Sequence, residues 1–416
     1  MAQSRFDIAI AGSSPAADMA AALLARHGRR VLQLTTVPPG EPWQVSSLFL
    51  RKLLDTLSGQ SCLAPPQPFQ VLSSHARVTV HPEAALADEL VREFGSAADR
   101  VGAVLADLQA TGARLEELLW EHGGLPADGV GARVSWRWLC LRRKFSDKSL
   151  TTPLAARLHS LPEAAAEWLT DLFQGLAMQP LAALSMADGA LLWAQARRPE
   201  AIAAEELAAL LHKRFEQFHG VTIELAALAG LEHRDGQWHG SLHHGGSFQA
   251  GQLLLGDLDQ ELPGRGVPSP RQELTPPQQL LTSPLNGQLS PLLEERVIAG
   301  GRLPLRLVLT ATTEGTIGHI SASVLADQGL IRRQLEPVLP FARYTLQVQA
   351  IGRNTVKLAD PTATAPPLFK LPLHPGSHLW CADNARLLPQ LGSGGAALLA
   401  WTLLRRLQPT AGSRGK

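Results

Sequence analysis

The sequence predicts an α/β protein: a Rossmann-like βαβ unit at its start, followed by mixed α and β elements. Three observations predict it. A strand, turn, helix and second strand follow one another within residues 6–34; short strands alternate with turns from 221 to 255; and a short strand, an acid, a glycine-rich turn and an apolar helix close the chain.

The first unit reads most directly. FDIAIA, Phe6 to Ala11, is a short apolar run that enters Gly12-Ser13-Ser14-Pro15, the pattern of a buried strand ending in a tight turn. Ala16 to His27 is rich in Ala and Leu and stops at Gly28, as a helix does. Val31 to Leu34 follows as a second strand, and the helical crossover makes the two strands parallel neighbours. Ser46 to Leu57 has helical periodicity, and Phe69 to Val80 reads as one or two strands. Residues 83–120 read as two amphipathic helices broken near Gly95-Ser96, and helices continue from Pro153 to Arg197. After a helix over 201–218, the segments VTIEL, GLEHRDG, QWHGSLHH and SFQAGQLLLG predict strands turning at Asp235-Gly236 and Gly245-Gly246. Proline and glutamine crowd residues 259–291, which reads as an irregular connection. Arg306 to Thr313, His319 to Leu325 and Tyr344 to Ala350 read as strands of a second sheet. The last unit runs from Leu379 through a Gly392 to Gly395 turn into a helix over Ala396 to Leu407.

Composition narrows the function. The 416 residues exceed what one compact core serves, so two domains are expected. Lys and Arg total 38 against 37 Asp and Glu, a net charge of +1 that offers no overall field for a polyanion, so nucleic acid is not expected as a partner. Cys62, Cys140 and Cys381 are widely spaced, without a CxxC pair, which points to a reducing compartment. The N-terminus reads as neither a signal peptide nor a spanning segment, so a cytoplasmic location is expected. Tryptophan among the arginines of Arg137 to Lys144 leaves peripheral membrane contact, or contact with an acidic partner, beside the plainer reading of a solvated basic face.

A dinucleotide-binding turn needs glycine at the bend, glycine where backbone meets pyrophosphate, and a small residue where helix packs on strand. Those positions are Gly12, Ser14 and Ala17, with Ser13 and Pro15 between them. The ribose-binding acid of such a site falls at Thr35, which cannot accept two hydrogen bonds as a carboxylate does. The same turn also serves a Rossmann-like unit with nothing bound.

Taken with ELVREFG, the helix and strands of 206–256, and HLWCADNARLLPQLGSGGAALLAWTLLRRL, the order of segments resembles the FAD-dependent amine oxidase, protoporphyrinogen oxidase and phytoene desaturase superfamily. The resemblance covers about half of the chain. It implies a discontinuous FAD-binding domain formed by residues 1–60, 200–258 and 375–416, and a substrate or cap lobe formed by 61–199 and 259–374. It implies that Gly12, Ser13, Ser14, Pro15 and Ala17 approach the pyrophosphate and that Thr35 faces the ribose. It further implies that Asp383, with Asn384, Gly394 and Gly395, lies on the flavin side. Two departures stand out: Ala382 replaces the usual glycine before the acid, and Val37 to Trp43 has no counterpart of the family's Gly-Gly-Arg-like segment.

The activity so implied is oxidation, dehydrogenation or desaturation of a small or apolar organic substrate, the flavin carrying the hydride chemistry. No catalytic acid or base is identifiable. The rival reading is a cofactor-free protein of the same fold that binds or regulates a protein partner; a nicotinamide enzyme would leave the Asp383 segment unexplained. No Gly-x-Ser-x-Gly, HExxH or P-loop motif is present. The histidines from His212 to His244 lack metal-ligand spacing and read as solvated hairpin residues, and His374, His378 and Cys381 read as structural.

Overall fold

The computed structural model describes residues 4–35, 46–82, 86–126, 130–145, 150–257, 262–265, 278–301, 303–323, 327–351, 373–374 and 378–408. The Val37 to Trp43 segment lies outside the described residues.

The first sheet is built around strand Ser4–Ala11. Strands Val31–Thr35 and Val221–Glu224 follow in parallel on one side; Ser247–Leu255 lies parallel on the other. That last strand uses its far edge twice. Its first half, Ser247 to Ala250, pairs antiparallel with Gln237–Leu242, while Leu253 to Leu255 pair in parallel with Leu379–Cys381. Side-chain alternation sorts the two faces. Ile8, Ile10, Val31 and Leu254 pack with the helices Pro15–Arg26 and Gly392–Leu407. Ala9, Ala11, Leu32, Leu34, Leu253 and Leu255 pack beneath Leu228, Leu231 and Trp238 of the antiparallel meander. A sheet covered on both faces in this way is the Rossmann arrangement, here with the meander as its second cover.

The second sheet runs in the order Ala342–Tyr344, Gln278–Gly287, Gly315–Ser323, Leu305–Thr312, Arg296–Ala299, Phe69–Leu72, Arg77–Val80, with Gln347–Ile351 also on Gln278–Gly287. Helix Gln328–Leu335 packs on one face through Ile331 and Leu335. Helix Glu163–Ala177 lies on the other, its Gly175 against Ile298. Trp168, Leu169, Leu172 and Phe173 of that helix are fully buried as core side chains.

Two sequence expectations are corrected. Residues 259–291 are not all connection, because Gln278–Gly287 is a ten-residue strand between two others. Pro284 disguised it, and the sheet accommodates that proline at a gap. On one edge Gln347–Ile351 pairs as far as Thr282, Ala342–Tyr344 resumes at Leu285, and the Thr345 N–H donates instead to Ser283 Oγ at 3.0 Å. Second, Gly392 to Gly395 is no turn ahead of a helix: the helix starts at Gly392 and the glycines form its first turn.

Among the described residues no helix is long and apolar enough to cross a membrane.

Candidate dinucleotide site

The site is assembled where the parallel strands end. Gly12 turns the chain out of the first strand at φ +91°, a conformation that favours glycine, and its N–H donates to Leu34 O at 2.8 Å. The Ser13 N–H donates to Asp257 O at 3.1 Å, and a Cβ on Gly256 would stand 3.1 Å from the Gly12 carbonyl. The Ala382 N–H, in turn, donates to Leu255 O at 2.6 Å. Gly12, Gly256 and Ala382, distant in sequence, thus meet at the carboxyl ends of adjacent strands, where open α/β sheets bind ligands.

The first turn of helix Pro15–Arg26 decides what that place can offer. A helix start attracts anions through N–H groups that lack carbonyl partners. Pro15, the first helical residue, has no N–H. The Ala16 N–H donates to Asn384 Oδ1 at 3.3 Å, and the Ala17 N–H to Ser14 Oγ at 3.1 Å. The Ser14 hydroxyl also donates to Ala382 O at 2.7 Å, tying the turn to the C-terminal segment. Ser13, Ser14, Asp383 and Asn384 are all buried. The Ala16 and Ala17 amides of this helix start are therefore bonded to the chain's own side chains.

Thr35 ends the second strand, its Oγ1 2.6 Å from Ser13 Oγ, so that two hydroxyls meet at the carboxyl end of that strand. Gly394 and Gly395 are covered by protein. A Cβ on Gly394 would lie 2.4 Å from Gln195 Oε1, and one on Gly395 would lie 2.8 Å from the Leu391 Cβ.

Sequence reading missed the buried polar layer that supplies Gln195. Helix Met186–Ala196 presents Asp188 and Gln195 toward the C-terminal segment, and Asp188 Oδ1 accepts from Gln390 Nε2 at 2.9 Å. Burial pushes the Asp188 carboxyl above its ordinary range, despite its bonds to Ser185 and Gln390. Next to Gln195, Glu116 is buried, ion-paired with Arg198 and accepting the Leu48 N–H at 3.3 Å; burial raises its pKa while Arg198 opposes the rise. Ser46, Gln195, Arg198 and Arg296 line a small cavity there. Ser46 Oγ, Gln195 Oε1 and Arg198 Nε have no hydrogen-bond partner among the described residues. Burial, with Arg306 nearby, lowers Arg296 to about 10. The only sequence signal was an occasional polar residue in Ala- and Leu-rich helices.

The histidine residues gather no site. His212, His219, His233, His243 and His244 are exposed, and among the described residues no three His, Cys, Asp or Glu side chains come together as metal ligands. The His374 ring meets that of Trp380 edge-on at 4.5 Å, and His378 Nδ1 meets Gln252 Nε2 at 2.9 Å.

The fold as a whole has parallels among known structures. The chain has the fold of the FAD-dependent amine oxidases. It is similar to a putrescine oxidase with a TM-score of 0.60, at 11% identity over 98% of this chain and 99% of that one. Cyclohexylamine oxidase from Brevibacterium oxydans matches with a TM-score of 0.58, at 11% identity, over 97% and 98% of the two chains. A Rab GDI from Plasmodium falciparum matches with a TM-score of 0.51, at 11% identity, over 95% and 98%. No family model and no curated protein sequence matches the chain. At such identities the likeness is one of fold, which hosts more than one function.

Proposed function

We infer that this protein uses the amine oxidase fold without tightly bound FAD and acts as a binding or regulatory protein for a partner recognised by its mixed α+β lobe. The observation that carries this reading is the closed first turn of helix Pro15–Arg26, where Pro15 offers no donor and Asn384 and Ser14 hold the Ala16 and Ala17 amides. An FAD pyrophosphate held there would have to break both side-chain bonds and then be desolvated with fewer donors than an open helix start provides. Thr35 offers no carboxylate to the ribose, and Gln195 covers Gly394. These residues do not fit FAD held in the way the family resemblance implies.

A second reading, an FAD-dependent oxidoreductase acting on a small or apolar substrate, is favoured by one observation. Asp383 is buried in the segment bonded to the Gly12 turn, where the resemblance puts the flavin-facing acid. The two readings separate on purification. The protein is purified without added cofactor and its visible spectrum recorded, then recorded again after incubation with FAD and desalting. No flavin bands in either spectrum is the result expected; a retained stoichiometric flavin overturns the proposal and establishes the second reading.

A further inference from the structure

Helix Val130–Arg142 is apolar on two opposite sides, and one partner accounts for one side only. Trp136 and Cys140, four residues apart, are buried, with the Trp136 ring 5.4 Å from that of His122 on helix Ala98–His122. On the other side Val134, Trp138 and Leu141, spaced to form a single stripe, are 61%, 60% and 76% exposed. A soluble surface scatters single apolar residues; a contiguous stripe marks something that covers it.

The charges around the stripe identify the covering surface. Arg137 and Arg142 are exposed on its two shoulders, and the Arg142 guanidinium stands 5.6 Å over the Trp138 ring. Lys144 follows, also exposed, and no carboxylate occurs in the sequence between Asp128 and Asp147. Arg143 is turned back to Glu121 and fixes the end of the helix to its neighbour, as does Arg114, whose guanidinium donates to Arg143 O at 2.7 Å. The stripe is the crest of one helix, so a protein partner would need a matching groove, whereas a bilayer admits a convex apolar crest wherever it touches. Tryptophan at the centre and cations at the shoulders match an interface with headgroups outside and acyl chains beneath.

We propose that helix Val130–Arg142 is a peripheral docking element for anionic phospholipid, with Val134, Trp138 and Leu141 entering the acyl boundary while Arg142 and Lys144 meet the headgroups. The proposal is independent of whether FAD binds.

The test sediments the full-length protein with vesicles of phosphatidylcholine alone and of phosphatidylcholine mixed with phosphatidylglycerol, at low and high salt. Expected are binding to the mixed vesicles only, its loss at high salt, its abolition in Trp138→Asp/Leu141→Asp, and a reduction of roughly fivefold in Arg142→Gln. Because these side chains are exposed, the variants should keep the wild-type circular dichroism and melting temperature. Absence of binding to the mixed vesicles at low salt overturns the proposal. So does undiminished binding by a folded Trp138→Asp/Leu141→Asp variant, or capture by an acidic peptide with no vesicle binding.

Discussion

Ser14 joins two parts of the chain through one hydroxyl, which accepts from Ala17 and donates to Ala382. Ser14→Ala leaves an amide and a buried carbonyl without those bonds, and a loss of about 1–2 kcal/mol is expected in urea denaturation. Ser14→Gly combined with Asn384→Ala has a different purpose: it removes both side chains from the Ala16 and Ala17 amides. If closure of those donors is what keeps FAD out, this variant quenches FAD fluorescence on titration where the wild type does not; equal behaviour would show that the exclusion lies elsewhere. Asp171 gives a second residue-scale prediction. Its Oδ1 accepts the Gly301 N–H at 3.3 Å, and burial, opposed by that bond, pushes its carboxyl up to about 7. The folded protein therefore holds a proton that the unfolded chain releases above about pH 4, so stability is full below that pH and falls as pH rises through about 7. Asp171→Asn retains the acceptor and removes the titration. Its unfolding free energy, from urea denaturation, should change less than that of the wild type between about pH 4 and pH 8, by on the order of 2 kcal/mol.

Among the elements, helix Ala98–His122 meets Met186–Ala196 with little room at Gly112. A Cβ on Gly112 would stand 2.0 Å from Ala190 O and 2.7 Å from the Ala194 Cβ. Backbone cannot swing aside as a side chain end can, so Gly112→Ala should part the helices and cost about 1–3 kcal/mol, read as a lower denaturation midpoint. The sequence marked both helices but not their crossing, since an isolated glycine within a helix announces no partner. The same distinction runs through the chain. Strands Ser4–Ala11 and Val31–Thr35 and the helix between them were legible because runs of apolar residues, Gly12 and Gly28 encode them locally. Strand Gln278–Gly287 was not, because its proline is tolerated only through the gap left by two distant strands. In the candidate site, the positions of Gly12, Ser14 and Asp383 were readable from segment order. That Asn384 would bond Ala16, or that Gln195 would cover Gly394, depends on chain separations that no local pattern carries.

For the molecule as a whole, the question is whether a sheet that brings the Gly12 turn to the Ala382–Asn384 segment gains stability from binding FAD. A ligand that binds only the folded state must stabilise it, by about 2.7 kcal/mol at a concentration one hundred times its dissociation constant. The fold contributes the meeting point, through the carboxyl ends of Ser4–Ala11, Ser247–Leu255 and Leu379–Cys381. The binding energy would have to come from amides, a ribose acid and an open face at the last helix. In this chain side chains bond two of those amides, Thr35 ends the second strand without a carboxylate, and Gln195 lies against Gly394. Thermal unfolding followed by tryptophan fluorescence should therefore give the same midpoint with and without excess FAD, while Ser14→Gly/Asn384→Ala should acquire a rise on FAD addition. A rise of several degrees in the wild type would mean that FAD displaces the Ser14 and Asn384 bonds at a net gain, and would return the protein to the oxidoreductases.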